Sequence, residues 1–342
     1  MTARVFIADL GMYEPEGFES AADIAAASGI PEQVLIEKFG LAGKHRARPD
    51  EHVSEMCVSA ARGVVERNGA ETIDAVMYFG SHWKDHMVWQ VAPAVMEALG
   101  IDGYAFEAIN SSAGAPVALK IARDMLAADP DLRSILMVAA ARESGIIDYT
   151  NERSRFAYNF GDGAVAALLR KDDGAGELLS SALVSDGSFA HHVHVPAGGS
   201  AHPASRETVD ARMHFLDVFD GAEMKRRLDP ITIKRFVDVA RDAVEKSGHD
   251  LSELKWFLPI HMKRSIHDAL CSELGVPFER SVYLDHNGHM SAVDPLLSLC
   301  MLRDAGRLSD GDLVLLLAAG TGYTWAATVV RWGEGPRPAG RA

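Results

Sequence analysis

The sequence predicts an α/β protein with much of its sheet buried. Strand-like apolar runs alternate with amphipathic helical stretches along the whole chain. At 342 residues and 48% hydrophobic content, it holds about two domain-sized units and ample material for a large core. In chain order, strands are expected at Arg4–Leu10, Ile73–Gly80, Tyr104–Ile109, Ser134–Ala140, Gly163–Leu169, Leu178–Ser185, Trp256–Ile260, Ser281–Leu284, Leu313–Ala318 and Thr324–Arg331. Helices are expected between them at Val53–Asn68, Ala115–Ala127, Ile233–Ser247, Arg264–Leu274 and Ala292–Ala305.

A short internal match accompanies this pattern. Ala61-Arg62-Gly63-Val64-Val65-Glu66-Arg67-Asn68-Gly69 resembles Ala240-Arg241-Asp242-Ala243-Val244-Glu245-Lys246-Ser247-Gly248, and each ends a helix at a glycine before an apolar strand. Chance also produces a match of this length. If it reflects duplication, residues 1–172 and 173–332 are two similar halves meeting at the Lys171–Gly176 turn, and the Gly/Pro-rich 333–342 is a frayed tail.

Composition removes several classes of function. A net charge of −14 argues against nucleic acid as the main partner. The longest apolar run, Leu313–Ala319, is too short to span a bilayer, and the N-terminus lacks a signal-peptide apolar region, so a cytoplasmic protein is expected. The cysteine count of 3 is odd, which prevents complete internal pairing. Cys57, Cys271 and Cys300 all fall within helical patterns, without the basic or helix-start setting of a reactive thiolate. They read as buried small hydrophobes.

The most informative local feature is the turn after the third strand. Tyr104–Ile109 stops at Asn110-Ser111-Ser112-Ala113-Gly114, and a helix begins at once, with Pro116 in its first turn. Ser112 would lie where unpaired N–H groups and the positive end of the helix dipole converge, a field that stabilises a developing oxyanion. A serine in this place also serves as an ordinary helix cap.

The stretch Ala105–Gly114 resembles the nucleophile region of the β-ketoacyl-acyl-carrier-protein (ACP) synthase III family, within the thiolase superfamily. Phe160-Gly161-Asp162-Gly163-Ala164, Ser185-Asp186-Gly187-Ser188 and Leu316–Trp325 resemble later family segments in the same order. The resemblance covers nearly the whole chain. It implies a five-layered αβαβα fold of two duplicated halves, usually a homodimer, and substrates that are thioesters of coenzyme A or of carrier-protein phosphopantetheine, with no permanently bound cofactor. It also implies that the Gly322 N–H joins that of Ser112 in an oxyanion hole.

The chain departs from the family at the reactive positions. Ser112 stands where the family has a cysteine nucleophile. His289, in Asn287-Gly288-His289, stands where the family has an asparagine. The family histidine aligns on Ile260, with His261 one residue later. Serine needs a base to take its proton, and its ester is a weaker acyl donor to carbon than a thioester. Ser112, His261 and His289 as nucleophile, base and acid, with Asp285 or Asp294 orienting an imidazole, therefore suit acyl transfer to an oxygen or nitrogen acceptor, in specialised metabolism. Two other readings stand beside it: a decarboxylative synthase using serine, and a catalytically silent scaffold or carrier-protein docking module.

Anionic donors call for local basic groups on an acidic chain. Lys44, Arg46 and Arg48 form one cluster, Lys263 and Arg264 a second, and Lys225-Arg226-Arg227 a third. His191-His192-Val193-His194, with His202, invites a metal reading, but neither cysteine nor carboxylate accompanies it at a zinc spacing, so loop or cavity lining and no metal is expected. Met87 and Trp89 are placed by the resemblance near the dimer interface and the partner's acyl pocket, which their bulk would shorten.

Overall fold

A computed structural model describes residues 3–333. The main elements in chain order are β1 (Val5–Tyr13), α1 (Val53–Asn68), β2 (Ala75–Tyr78), α2 (Val91–Ala98), β3 (Tyr104–Glu107), α3 (Gly114–Ala128), β4 (Ser134–Arg142), β5 (Asp162–Lys171), β6 (Gly176–Ser185), α4 (Gly221–Lys246), β7 (Leu254–Pro259), α5 (Arg264–Leu274), α6 (Asp294–Asp304), β8 (Leu313–Gly320) and β9 (Thr324–Trp332). The strands form a 9-stranded mixed sheet in the order β7-β8-β9-β6-β1-β5-β4-β2-β3. Its two parts join at β1 and β6, which pair only through Phe6–Glu177 and Ile7–Gly176.

Side-chain alternation divides this sheet into layers. In the β2/β4/β5 part, Val76, Tyr78, Leu136, Val138, Ala164 and Ala166 share a core with α1. The intervening Met77, Met137, Ala139, Val165 and Ala167 face inward instead. There they meet α3 (Leu119, Ala122, Leu126), α6 (Leu296, Leu299, Cys300) and the inner face of the other part (Trp256, Leu258, Val314, Leu316). The outer face of that second part, with Phe257, Leu315, Leu317 and Val329, packs on α4 and α5. The layers therefore run α, β, α, β, α, as the family resemblance implied. Because the strands are covered on both faces, β4 and β8 read as unbroken apolar runs.

The internal match extends to topology. The order helix, strand, helix, short turn, buried helix, strand, strand occurs once as α1, β2, α2, Ser111–Ala113, α3, β4 and β5, with the edge strand β3 added after α2. It recurs without that edge strand as α4, β7, α5, Ser291–Val293, α6, β8 and β9. The helix-to-strand packing has local causes. α1 settles on β1 at Gly11, where a Cβ would lie 2.1 Å from the Ala60 carbonyl oxygen.

Three expectations need correction. Ser281–Leu284 is not a strand: Ser281 makes an isolated bridge to Phe257 and its hydroxyl donates to the Phe257 carbonyl, while the next residues follow an irregular path. α4 begins at Gly221, not Ile233, running through Pro230 with the Asp220 side chain capping Glu223 N–H. α2 lay outside the expected helices. Of the tail expected to fray, residues 334–342 lie outside the described residues. Among the described residues, no helix is long and apolar enough to cross a membrane.

Candidate active site

Two similar turns build the site. The chain leaves β3 and reaches Ser111 at φ +43°, then a short 3-10 turn, Ser111–Ala113, feeds α3. In the second part Ser291 sits at φ +52°, and the 3-10 turn Ser291–Val293 feeds α6. A non-glycine residue in this left-handed region is strained, and strain of this kind gathers at functional turns. The turns touch back to back: a Cβ at Gly114 would come 2.8 Å from the Ala292 Cβ and 2.7 Å from the Phe79 carbonyl oxygen.

Ser112 Oγ lies 2.8 Å from His289 Nε2, and His289 Nδ1 lies 2.6 Å from Asp294 Oδ2. A carboxylate only accepts, so His289 carries its proton on Nδ1 and presents the Nε2 lone pair to the Ser112 hydroxyl. Asp294 is wholly buried in the first turn of α6, where the helix dipole favours a negative group. Its carboxylate also accepts from His261 N–H (2.7 Å) and Met290 N–H (2.7 Å). The result is a serine–histidine–aspartate relay: a hydroxyl, a base aimed at it, and an acid that fixes the tautomer of the base. Of the two candidate acids the structure brings in Asp294 and leaves out Asp285, whose side chain is exposed and whose backbone carbonyl caps Ala42 and Gly43.

His261 enters the same cavity but is engaged elsewhere. Its Nδ1 lies 3.0 Å from Asn159 Nδ2 and its Nε2 lies 3.2 Å from the Gly40 carbonyl oxygen. Burial lowers its pKa to about 4. The expected pairing of His261 with Ser112 is thus replaced by a pairing with Asn159, because both ring nitrogens are already committed.

The expected donor-binding residues separate as well. Lys44 is fully buried, and its ammonium donates to the Tyr158 (2.8 Å) and Phe160 (2.7 Å) carbonyls, with Glu19 at 3.6 Å. Desolvation by that burial lowers its pKa to about 8. It braces the segment that carries Asn159 instead of meeting an anion from solvent. Arg46 pairs with Glu19 at 3.4 Å and Arg48 with Asp50 at 3.4 Å, both with exposed side chains. Arg264 pairs with Asp268 at 2.8 Å and lies over the Phe278 ring. Lys263 is different. It is exposed at the start of α5 and lines a cavity of about 510 Å³ together with Ser112, His289, Asn159, His261 and Lys225.

That cavity is otherwise largely apolar, with Phe156, Phe160, Phe236, Ile260, Tyr323 and Trp325 in its wall. At the opposite side of Ser112 stands the Gly320–Gly322 turn. A Cβ at Gly320 would come 2.8 Å from Ala113 N and 3.0 Å from Ser112 N, so glycine is what lets the turn approach the Ser112 backbone. Gly322 holds φ +137°, and the neighbouring Thr321 hydroxyl reaches Ser111 Oγ at 3.3 Å.

Other singled-out residues lie away from the chemistry. Cys57, Cys271 and Cys300 are buried free thiols in α1, α5 and α6, and burial raises the pKa of each, that of Cys300 to about 12. His192 Nδ1 lies 2.9 Å from the Phe219 carbonyl oxygen, and His194 stacks on the Phe219 ring. Met87 is 72% exposed, and Trp89 meets His86 edge to face. Sequence reasoning missed Asn159. Its signal was a lone amide inside the aromatic run Phe156-Ala157-Tyr158-Asn159-Phe160, just before Gly161.

Comparison with known proteins gives concordant results. Residues 106–187 match the 3-oxoacyl-[acyl-carrier-protein] synthase III family, and residues 244–332 match its C-terminal family. A β-ketoacyl-[acyl-carrier-protein] synthase III from Syntrophomonas wolfei is 31% identical over 334 residues, covering 97% of this chain and 98% of that protein. The crystal structure of a β-ketoacyl-[acyl-carrier-protein] synthase III from Thermus thermophilus superposes with a TM-score of 0.83 at 27% identity, covering 96% of this chain and 99% of the other. The priming β-ketosynthase of the R1128 polyketide biosynthetic pathway superposes with a TM-score of 0.83 at 25% identity, covering 98% of both chains.

Proposed function

The chain belongs to the 3-oxoacyl-[acyl-carrier-protein] synthase III family, and within it we propose an acyltransferase that moves an acyl group from a coenzyme A or carrier-protein thioester to an oxygen or nitrogen acceptor. The observation that supports this reading is the Ser112–His289–Asp294 relay. His289 Nε2 takes the Ser112 proton as Oγ attacks the thioester carbonyl, and the negative charge forms on the carbonyl oxygen. The Ser112 N–H, in the turn that feeds α3, receives that oxygen, joined by the Gly322 N–H as the family resemblance implies. Collapse breaks the carbon–sulfur bond, and the thiol leaves with the proton held by His289. The serine ester is then attacked by an acceptor O–H or N–H, His289 taking the acceptor proton and returning it to Ser112. Asp294 holds the imidazole throughout.

Lys263, which lines the cavity with an exposed side chain, is suited to the anionic donor, whereas Lys225 in the same lining is paired with Asp229. A role in specialised metabolism draws on the likeness to the priming β-ketosynthase of a polyketide pathway. The homodimer is likewise proposed, supported by β3, which ends the nine-stranded sheet with an unpaired edge.

A second reading, decarboxylative condensation on Ser112, is favoured by relatives that carry the synthase name. Intact-mass measurement after incubation with acyl-CoA or acyl-carrier protein separates the two. An acyl adduct that forms in the wild type and is lost in Ser112→Ala, followed by delivery to an alcohol or amine, is the expected result. Carbon dioxide and a β-keto product from a malonyl thioester would overturn the acyltransferase reading.

A further inference from the structure

The cavity holds a polar unit that the proposed relay does not use. Asn159 is tied to both histidines. Its backbone carbonyl accepts His289 N–H at 2.8 Å, and its side-chain amide lies 3.0 Å from His261 Nδ1. Lys44 fixes the carbonyls on either side of it, and Phe160 and His289 form a parallel bridge next to it. The asparagine is thus held from its neighbours while it holds His261.

The direction of these hydrogen bonds follows from elimination. The Gly40 carbonyl can only accept, so His261 Nε2 carries a proton. A neutral imidazole then has a bare Nδ1, which must receive a proton from the Asn159 amide nitrogen. The opposite amide orientation would require a doubly protonated ring in a site where His261 is 4% exposed. In the orientation that remains, Asn159 Oδ1 is buried and has no hydrogen-bond partner among the described residues. Leaving such an oxygen unpaired costs about 1–3 kcal/mol. The amide is therefore placed by its bond to His261, and the structure tolerates that cost.

We propose that Asn159 is a specificity-determining positioning residue, which locks His261 as a neutral Nε2–H imidazole pointing at Gly40 and so withholds it from the substrate. This rests on the acyltransferase reading and adds to it a choice between reactions. A β-carboxyacyl thioester in the cavity can lose carbon dioxide. The bond between the α-carbon and the carboxylate breaks, its electron pair moves into an enolate on the thioester carbonyl, and the α-carbon then takes a proton to leave the shorter acyl thioester. N–H donors on the carbonyl oxygen lower that barrier. The His261 N–H points at Gly40, so this donor is absent and the intact acyl group goes to Ser112.

The groups that face His261 are Asn159, the Gly40 carbonyl, Asp294 through the His261 backbone N–H, the Tyr283 ring at 5.2 Å, and the charges of His289 and Asp285. Asn159→Leu removes only the donor to Nδ1. Two measurements on the full-length protein test the proposal. In nitrogen-15 histidine NMR, wild-type His261 is expected as an Nε2–H tautomer that does not titrate from about pH 5.5 to 8. An Nδ1–H tautomer, or protonation in that range, would overturn the lock whatever the enzyme's activity. With malonyl-CoA as probe, Asn159→Leu is expected to raise the ratio of carbon dioxide release to Ser112 acylation about tenfold. The double variant Asn159→Leu/His261→Leu should return it to the wild-type value. An unchanged ratio in Asn159→Leu whose His261 NMR signal has moved would refute the specificity role. Failure of wild-type acyl transfer to any acceptor would bear on the acyltransferase reading instead, leaving the tautomer result to stand by itself.

Discussion

The turn at Ser111–Gly114 and the turn at Ser291–Asp294 share a backbone and differ in where they carry chemistry. Each starts with a serine at positive φ, passes through one 3-10 turn and enters a helix buried between the two parts of the sheet. The first places a hydroxyl, Ser112, on the turn itself. The second has Ala292 at the matching place and carries its functional group one turn-end later, at Asp294. The nucleophile proposed at Ser112 must reach the cavity, and the residue is half-buried there. An acid that only orients a histidine gains from dryness, and Asp294 is fully buried with three hydrogen bonds to its carboxylate. Two similar helix starts thus carry different groups, an accessible hydroxyl on one and a dry, fully bonded carboxylate on the other.

The largest effect that breaks this division is expected from its link. His289→Ala removes the base bonded to Ser112, and transfer should fall about 10³-fold or more. Asp294→Asn should cost about 10²–10⁴-fold by releasing the imidazole tautomer, read as the rate of thiol release from acyl-CoA. Gly114→Ala attacks the contact between the turns. Its methyl would meet Phe79 O and Ala292 Cβ at distances no pair of these atoms tolerates. A loss of about 1–3 kcal/mol in urea unfolding is expected, together with reduced activity.

Smaller effects concern the surroundings. Lys263→Ala is expected to raise KM for the thioester donor about 3- to 10-fold, more at low salt, with kcat little changed. Arg48→Ala, at an exposed pair outside the cavity, should leave KM unaltered. Equal effects of the two would remove the donor role from Lys263.

The smallest test compares two buried carboxyl groups. Asp294 is satisfied by three donors, whereas Glu143 Oε2, just beyond β4, has no hydrogen-bond partner among the described residues. Burial raises the Glu143 pKa from 4.5 to about 7. A raised folded-state pKa means that the stability Glu143 contributes is present below pH 4.5 and is lost as pH rises through about 7. Glu143→Gln should therefore melt higher relative to the wild type at pH 8 than at pH 5, by a few degrees in Tm. A difference independent of pH would show that this carboxyl does not titrate with folding.

Much of this was legible before the fold was known, and the reasons are local. The strands of the central layers announce themselves as apolar runs, and Asn110–Gly114 is a strand-to-helix turn in any reading. His289 and Asp294 are close in sequence, so their pairing needed little of the tertiary structure. His261 was harder. Its orientation is set by Asn159 and Gly40, both far along the chain, and no local pattern records such bonds. Lys44 misled for the opposite reason: Lys44-His45-Arg46-Ala47-Arg48 has the composition of a solvated surface, yet in a short strand, Gly43–Arg46, paired with Gly17–Ser20 the first of these side chains is buried on two carbonyls. The first turns of α4 were hidden by their charge and by Pro230. Ser281–Leu284 has strand-like composition but keeps only one bridge, its hydroxyl taking over the bond to Phe257.

The central claim is that Ser112 carries the acyl group during turnover. A single-turnover experiment tests it directly: enzyme loaded with a labelled acyl-CoA, digested to locate the label, and chased with an alcohol or amine acceptor. An ester on the Ser112 peptide that discharges to the acceptor at least as fast as steady-state turnover is expected. An adduct on another residue, or one on Ser112 that persists while product accumulates, would contradict it.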